Sequence, residues 1–257
     1  MPQPFSTTPV GLPFIELQSV DSTNNYARAQ IHAGLAQHGM TIFAHEQVAG
    51  KGQRGKVWTS EKEANIALSI VIKPASLRLT QQFHLSACVA VAVHEFFMNY
   101  TGDDTKIKWP NDLYWQDRKA GGILIENIVG SSSSGAGNWD WSIIGIGINI
   151  NQTVFPPDLP NPVSLRQITG KFFEPAELAK EICTYIEKYY HLLIKDGFDT
   201  IYSIYISRLY KKEEKVKLRK ENRVFEAVIK KVTPAGKLVV QHAIEEEFDF
   251  GELEWMI

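Results

Sequence analysis

The sequence Lys108-Trp109-Pro110-Asn111-Asp112 is followed, seven residues after Asp112, by Lys119 and then by Gly121-Gly122. A lysine beside two glycines in an apolar segment can bring one positive charge and backbone N–H groups against an anion that must approach closely. The pattern therefore favours a site for a phosphate or a carboxylate. Two plainer interpretations stay open: Lys119 as a surface lysine in a turn, and Lys108 as a partly buried structural lysine.

A second segment suited to anions lies upstream, Gly50-Lys51-Gly52-Gln53-Arg54-Gly55-Lys56-Val57-Trp58, which we call the basic flap. Three glycines and three cations among these nine residues are typical of a loop that closes over a nucleotide. It is not a Walker A loop, because the final Lys-Ser/Thr pair is missing. Its indole is costly to expose unless it packs on something flat, such as adenine. The alternative is a flexible hairpin whose charges are simply solvated.

The segment Gly145-Ile146-Gly147-Ile148-Asn149 alternates glycine with isoleucine, so one face of the predicted strand lacks side chains. A flat ligand could pack on that backbone while Asn149 offers a donor and an acceptor at one end. Close packing of the sheet against a helix would explain the same pattern. Both interpretations stay open.

Hydrophobic periodicity around these segments predicts an α+β fold, a mixed or antiparallel sheet with flanking helices. The predicted strands are 14–17, 41–45, 65–72, 105–108, 112–115, 120–128 and 140–150, and the predicted helices are 25–36, 81–100, 174–191 and 198–209. After residue 210 the alternating segments 216–219, 224–232, 237–241 and 247–256 predict a small antiparallel β-barrel. We therefore expect two domains, 1–210 and 211–257, and a Ser/Gly hairpin connection over 130–138.

Length and composition limit the class of protein. The chain of 257 residues is 44% hydrophobic and has a formal net charge of −2, which argues against nucleic-acid binding driven by bulk charge. Cys88 and Cys183 lie far apart in apolar, helix-like settings, so we expect two core residues rather than a disulfide or a zinc site. The start of the chain lacks a secretory signal, and no apolar run reaches the roughly 18 residues of a membrane span. We expect a cytoplasmic protein that does not bind membranes.

Together these segments resemble the biotin protein ligases. The matching segments, in the same order and spacing, are Asp21–Asn24, Glu46-Gln47, the basic flap, Lys108–Asp112, Lys119–Glu126, Gly145–Asn149 and Gly251-Glu252. The resemblance implies a biotin/lipoate ligase-like catalytic core followed by an SH3-like barrel. It also implies two steps: biotin and ATP with Mg²⁺ give biotinyl-5′-AMP and pyrophosphate, and a lysine of a biotin carboxyl carrier domain then attacks the mixed anhydride.

The resemblance also implies a role for each matching residue. Catalysis would rest on Lys119, which would span the biotin carboxylate and the α-phosphate, and on Asp112, which would also hold Mg²⁺ or its water shell. The biotin-binding residues would be Ser22, Thr23, Asn24, Gln47, Gly50, Lys51, Gly52, Gln53, Lys119, Gly122 and Gly145. The residues that bind ATP and the adenylate would be Arg54, Lys56, Trp58, Thr59, Lys108, Asn111 and Asn149.

Two features depart from the family's pattern. Family members commonly have arginine where this chain has Lys51, Gln53 and Lys56, so fewer bidentate phosphate contacts are available and Arg54 would have to compensate. Some members carry an N-terminal helix-turn-helix domain, whereas here the Ser-Thr-Asn motif begins after 21 residues. We therefore expect the form that lacks this domain and does not bind DNA, as a monomer or homodimer.

Three other functions stay open. A lipoate ligase or acyltransferase would share the fold but is not expected to carry the full motif set. A non-catalytic module that binds biotin or a nucleotide would not need Lys119 and Asp112 together with a basic flap. An RNA-binding module would use the lysine-rich segment 211–223 and should show stacking aromatic residues on its barrel, where only Phe225 is suitably placed.

Overall fold

A computed structural model describes residues 8–74, 77–130 and 138–256. In these residues seven strands form one sheet: β1 Phe14–Leu17, β2 Thr41–Ala44, β3 Ile66–Ile72, β4 Thr105–Lys108, β5 Asp112–Trp115, β6 Arg118–Gly130 and β7 Asn138–Ile148. Their order is β1-β2-β3-β7-β6-β5-β4, with β1 and β2 parallel and all other neighbours antiparallel. The predicted mixed sheet is confirmed.

Helices flank this sheet, as predicted. Those of the described residues are α1 Thr23–His32, α2 Gln82–Thr101, α3 Leu165–Thr169, α4 Pro175–Asp196 and α5 Phe198–Ser207. Helix α2 is buried over most of its length, because it is apolar nearly all round and contacts both α4 and α5 as well as β4 and β5. Cys88 in α2 and Cys183 in α4 are buried and form no disulfide, as predicted, and burial raises the pKa of both thiols.

Helix α1 begins two residues before its predicted start. Ser22 is in an extended conformation and is the N-cap of the helix, so Thr23 and Asn24 belong to the first turn. Both side chains are buried, Thr23 with 3% and Asn24 with 3% of its surface exposed. Thr23 and Asn24, which precede the predicted start, thus form a buried first turn held against the sheet.

The chain after residue 210 forms a second sheet. Its strands are β8 Lys215–Lys220, β9 Arg223–Val232, β10 Leu238–Gln241, β11 Glu245–Phe248 and β12 Glu254–Trp255, in the order β11-β10-β9-β8-β12. Within the described residues no ladder joins β11 to β12, so the sheet is open and antiparallel, and the predicted SH3-like barrel is not confirmed. The single strand predicted over 247–256 is wrong, because Gly251 takes a positive φ of 91° in a turn between β11 and β12.

The second sheet shares its core with the first. Leu218, Ile229 and Val240 belong to the same buried apolar cluster as α2 and the central strands. The domain boundary between residues 210 and 211 stays a prediction.

Two further expectations concern the connection between β6 and β7 and the absence of a membrane-spanning segment. The Ser/Gly connection predicted over 130–138 lies, from 131 to 137, outside the described residues, while its flanking residues Gly130 and Asn138 pair across β6 and β7. Among the described helices, none combines the length and the apolar character that crossing a membrane requires.

Candidate functional site

A cavity of about 1240 Å³ lies where strands β3, β6 and β7 meet the first turn of α1, the basic flap and the turns of the second sheet. It brings together almost all predicted site residues, which are far apart in sequence. Those that line it are Ser22, Thr23, Asn24, Gln47, Lys51, Gly52, Gln53, Arg54, Lys56, Trp58, Thr59, Lys108, Asp112, Lys119, Gly122, Gly145 and Asn149. Gly50 and Asn111 are the two predicted site residues that do not line it.

One end of the cavity, which we call the polar end, consists of Ser22, Thr23, Asn24 and Gln47. The Thr23 backbone N–H donates to Gln47 Oε1 at 2.8 Å, and Thr23 Oγ1 lies 3.1 Å from the same oxygen. This contact turns the amide nitrogen of Gln47, a hydrogen-bond donor, away from Thr23. The Ser22 hydroxyl makes no capping bond to α1. The polar end thus offers donors and acceptors in a sheltered place, where an unpaired polar group is costly.

Gly145 gives the polar end its room. It pairs with Ser69 across β3 and β7, directly under Asn24. A Cβ at this position would lie 2.5 Å from Asn24 Oδ1, so only glycine lets the amide lie against the strand. The next glycine, Gly147, is covered by the Trp58 ring, which a Cβ would approach to 2.6 Å. The space that we predicted for a flat ligand is therefore partly filled by Asn24 and Trp58.

Replacing Gly145 by alanine should lower the free energy of unfolding by ~1–3 kcal/mol, the usual cost of overpacking. The Asn24 amide cannot move away without breaking its hydrogen bonds to Glu126 and Ser69. Urea unfolding of the variant and the parent protein measures the difference. A change smaller than about 0.5 kcal/mol, the range of ordinary surface substitutions, would contradict the close contact.

The other end of the cavity contains an ion pair between Lys119 Nζ and Asp112 Oδ1 at 2.7 Å. Both side chains are partly exposed to the cavity, at 32% and 27%. The pair lies over Gly122, where a Cβ would be 3.2 Å from Asp112 Oδ1 and 3.5 Å from Lys119 Nζ. We call this pair the charged end.

A β-bulge aims Lys119 at this site. Asp112 pairs with Gly122 across β5 and β6, but the register shifts between Leu113 and Tyr114, so that Lys119 pairs with Tyr114. Residues that pair directly point to the same face of a sheet, and Asp112 and Tyr114 share a face because they are two residues apart. Without the shift, Lys119 would point to the opposite face.

Lys108 lies beside the charged end among aromatic rings. Its Nζ donates to the Tyr114 hydroxyl at 3.1 Å and lies 4.7 Å from the Tyr114 ring centroid and 5.3 Å from that of Trp255. Burial lowers the pKa of Lys108 to about 8, although the nearby Asp112 carboxylate opposes this effect. The ion pairs of the described residues do not include Lys108. It is therefore a poorly compensated cation at the edge of the cavity.

The basic flap is a hairpin that reaches the second sheet. The Trp58 backbone N–H donates to the Gly50 carbonyl at 2.9 Å, which closes the hairpin at its base. At its tip Arg54 adopts a positive φ of 55° and donates from Nη1 to the Gly251 carbonyl at 2.9 Å. The Trp58 indole N–H is buried without a partner. The flap thus forms one wall of the cavity, bounded by the turn at Gly251.

The two predicted residues outside the cavity support its walls. A Cβ on Gly50 would lie 2.3 Å from the Trp58 carbonyl, so this glycine permits the close base of the flap. Asn111 is buried, and its Nδ2 donates to the Ile123 carbonyl, which ties the turn between β4 and β5 to β6. A direct contact of Asn111 with a nucleotide stays a prediction.

Several lining residues were missed by sequence reasoning. They are Leu68, Tyr114 and Asp117, the proline-rich loop Phe155, Leu159, Pro160, Asn161 and Pro162, and from the second sheet Arg219, Glu221, Asn222, Phe250 and Leu253–Trp255. The loop carried a usable signal, because apolar and proline residues follow directly after the glycine strand. Apart from Gly251-Glu252, which belong to a matching segment and also line the cavity, the residues of the second sheet carried no such signal.

The fold and the cavity place a polar end and a charged end in one cavity, bounded by a basic flap. The family model of the biotin/lipoate A/B protein ligase family matches residues 16–149, just over half of the chain. The chain belongs to this family.

Individual relatives agree with this assignment. The bifunctional ligase/repressor BirA of Escherichia coli is 38% identical over 114 residues, which cover 43% of this chain and 33% of that protein. The biotin–[acetyl-CoA-carboxylase] ligase of Paracoccus denitrificans is 28% identical over 227 residues, 88% of this chain and 92% of that protein. The matches to four bifunctional relatives span only 33% to 56% of their length.

A solved structure shows the same fold. The biotin protein ligase from Aquifex aeolicus in complex with biotin and ATP has a TM-score of 0.78 at 25% identity, with 94% of this chain and 97% of that chain covered.

Proposed function

We propose that the protein ligates biotin to a lysine of a biotin carboxyl carrier protein in an ATP-dependent reaction through biotinyl-5′-AMP. The observation that carries the proposal is a single cavity that joins the buried polar end to the Lys119–Asp112 ion pair. A ligand with a hydrogen-bonding head group and a carboxylate tail fits these two ends. Biotin is such a ligand, with a cyclic urea at one end and a carboxylate at the other.

The polar end favours biotin over lipoate. The urea of biotin carries two N–H donors and a carbonyl acceptor, which Ser22, Thr23 and Gln47 can pair. The dithiolane ring of lipoate has neither and would leave these sheltered groups without partners. Lys51, Gly52 and Gln53 of the flap would cover the bound ring.

Lys119 would stabilise the charge of the first step. One oxygen of the biotin carboxylate attacks the α-phosphorus of ATP, a P–O bond forms, and pyrophosphate leaves. A preorganised ammonium that contacts both the carboxylate and the α-phosphate lowers the repulsion between them as they approach. Asp112 would hold Lys119 in position through the 2.7 Å ion pair. In the second step the carrier lysine attacks the carboxyl carbon of the anhydride and AMP leaves.

Magnesium fits the charged end. Mg²⁺ in nucleotide sites binds one or two carboxylates together with phosphate oxygens. Asp112 lines the cavity and uses Oδ1 for Lys119, which leaves its second oxygen for a metal or a metal-bound water. In the part of the chain that the structure describes, no group of three or more His, Cys, Asp or Glu side chains could hold a metal by itself. When bound, the ion would neutralise phosphate charge.

The flap and the strand ends would hold the nucleotide. Arg54, Lys56 and Lys108 supply positive charge for the triphosphate, with Lys51 nearby. Trp58, Thr59 and Asn149 would contact adenine, and the buried unpaired indole N–H of Trp58 supports a ligand there. A closed flap would keep water from the reactive anhydride.

ATP binding should take up a proton near pH 8. The pKa of Lys108 is lowered from 10.5 to about 8. Between about pH 8 and pH 10.5 the unfolded chain therefore binds more protons than the folded protein. The free energy of unfolding accordingly rises with pH across that range. A bound triphosphate would favour the charged lysine, so ATP affinity should fall as pH rises through about 8. Calorimetric titration of ATP at pH 8 in two buffers of different ionisation enthalpy measures the uptake. Lys108→Met should remove it; no uptake in the parent protein would contradict the prediction.

The relatives support the choice of substrates and partner. The Paracoccus relative is named as a biotin–[acetyl-CoA-carboxylase] ligase, and the Aquifex structure is a complex with biotin and ATP. A carrier domain of a biotin-dependent carboxylase is therefore the proposed partner. The cytoplasmic location, the absence of DNA binding and the monomeric or homodimeric state stay predictions from the sequence.

Transfer to a carrier tests the whole proposal. The protein is incubated with ATP, Mg²⁺, biotin and the unmodified carrier domain of an acetyl-CoA carboxylase, and the mass of the carrier is measured by mass spectrometry. We expect one biotinyl group on one lysine, and none on a carrier in which that lysine is arginine. If the carrier stays unmodified after incubation with biotin, or if lipoate is transferred as well as biotin, the proposal is contradicted.

A further inference from the structure

Glu126 on β6 binds two side chains of helix α1 with its two carboxylate oxygens. Oε2 accepts from Asn24 Nδ2 at 2.8 Å, and Oε1 accepts from Arg28 Nη2 at 3.0 Å. Asn24 and Arg28 are one helical turn apart and leave α1 on the same face. The Glu126 side chain is 24% exposed, and neither Glu126 nor Arg28 lines the main cavity. We call these three residues the carboxylate clamp.

The clamp decides which way round the Asn24 amide lies. A carboxylate only accepts hydrogen bonds, so the amide nitrogen must face Glu126 and the amide oxygen must face away from it. Asn24 Oδ1 accordingly lies 2.6 Å from Ser69 Oγ, above Gly145. Ser69 is fully buried on β3, so its hydroxyl needs partners inside the protein.

The orientation of the Asn24 amide determines the direction of the Thr23 hydroxyl hydrogen through Ser69. An amide oxygen cannot donate, so the single hydroxyl hydrogen of Ser69 goes to Asn24. Ser69 Oγ also lies 2.7 Å from Thr23 Oγ1, and because the Ser69 hydrogen points to Asn24, the hydrogen in that contact comes from Thr23. Gln47 Oε1 is a second acceptor for Thr23 Oγ1, but it is farther away, at 3.1 Å, and already accepts from the Thr23 backbone N–H at 2.8 Å, so the single Thr23 hydrogen goes to Ser69. With its hydrogen directed at Ser69, the Thr23 oxygen presents lone pairs, and therefore an acceptor, to the polar end.

We propose that Glu126 is a positioning residue that acts through Asn24 and Ser69 to make Thr23 a hydrogen-bond acceptor for an N–H group of the ligand. This inference rests on the proposed function. The Gln47 amide nitrogen is a donor for a carbonyl, and Thr23 is the acceptor beside it. A cyclic urea, in which N–H groups flank a carbonyl, matches both.

The clamp could instead only hold α1 against β6, and the two roles make different demands on Arg28. Holding the helix needs both halves of the clamp, whereas orienting the Asn24 amide needs only the contact between Glu126 and Asn24. Arg28→Met removes one half and leaves the other. It is therefore the matched control for Glu126→Met, which removes the acceptor at similar side-chain size.

The test breaks the chain of hydrogen bonds at two points. Glu126→Met removes the carboxylate that orients the Asn24 amide. Ser69→Ala removes the hydroxyl that links Asn24 to Thr23 and leaves the carboxylate clamp intact. The KM values for biotin and for ATP are measured by ATP–pyrophosphate exchange, with the melting temperature of each variant. We expect each change to raise the KM for biotin about tenfold, as for one lost hydrogen bond with an unpaired partner, and to leave the KM for ATP within about threefold.

Coupling between the two changes completes the test. Because both act on the same chain of hydrogen bonds, the double variant should raise the KM for biotin by no more than either single change. Arg28→Met should leave it within about threefold of the parent, even if it lowers the melting temperature as much as Glu126→Met does.

Three results would overturn the inference: an equal rise in the KM for biotin in Arg28→Met, single effects that multiply in the double variant, or an unchanged KM in Ser69→Ala. The last decides alone if Glu126→Met does not fold. Absence of biotin-dependent exchange in the parent protein is a separate result. It would contradict the proposed function and, with it, this inference.

Discussion

Lys119→Ala is expected to lower the rate of adenylate formation by a factor of about 100 or more while the fold stays intact. Removing one preorganised group that stabilises transition-state charge costs on the order of 3 kcal/mol. Lys108, another cation of the cavity, is held by Tyr114 and Trp255 and cannot replace it. The fold should tolerate the change, because a partly exposed ion pair contributes about 0–1 kcal/mol to stability.

The rate is measured as biotin-dependent ATP–pyrophosphate exchange, beside the melting temperature. Lys188→Ala is the matched control, since Lys188 also forms a lysine–carboxylate pair, with Glu95 at 2.8 Å, but does not line the cavity. It should exchange at the parent rate. If Lys119→Ala exchanged pyrophosphate within about tenfold of the parent rate, Lys119 would not be the group that stabilises the transition state of adenylate formation.

Asp112→Asn is the second variant with a large expected effect, a loss of about 100-fold in the same exchange rate. The amide keeps the size of the side chain but loses the charge that positions Lys119 and that would hold Mg²⁺. At high Mg²⁺ concentration, which offsets the lost metal ligand, Asp112 acts through Lys119 alone, so the double variant should then be no slower than Lys119→Ala. The exchange rates of the single and double variants, measured over a series of Mg²⁺ concentrations, check this.

Two results would contradict this role of Asp112. One is an exchange rate within about threefold of the parent at all Mg²⁺ concentrations. The other is a double variant in which the two losses multiply at high Mg²⁺ concentration, because independent sites add in free energy.

The strands of the first sheet could be predicted closely because their signals are local. β4 and β5 begin and end where the alternation of apolar residues predicts, at 105–108 and 112–115. The start of α1 was missed because Thr and Asn are polar residues common just before a helix, whereas here Thr23 and Asn24 form the first helical turn and are buried against the sheet. The strand at 247–256 was misjudged because apolar residues alternate on both sides of Gly251, at Phe248 and Phe250 and again at Leu253 and Trp255, and the shift in phase between the two pairs was overlooked.

The candidate site shows the same division. Residues that lie within a motif, such as Lys119 and Gln47, were named from the sequence and line the cavity, while their roles stay predictions. The bulge that turns Lys119 towards Asp112 was not, because a register shift depends on the partner strand. Ser69 and Glu126 were not predicted either, since they act through contacts with Asn24, 45 and 102 residues away in the chain. Arg54 was expected at phosphate, and its bond to the Gly251 carbonyl depends on how the second sheet is placed.

Activation of biotin in the cavity is measured as exchange of labelled pyrophosphate into ATP by the unmodified protein, with biotin, with lipoate and without either acid. It reports formation of the acyl-adenylate in the cavity and needs no carrier. We expect exchange that requires both biotin and Mg²⁺ and that lipoate does not support. Exchange that is independent of biotin, equal exchange with lipoate, or no exchange at all would contradict it.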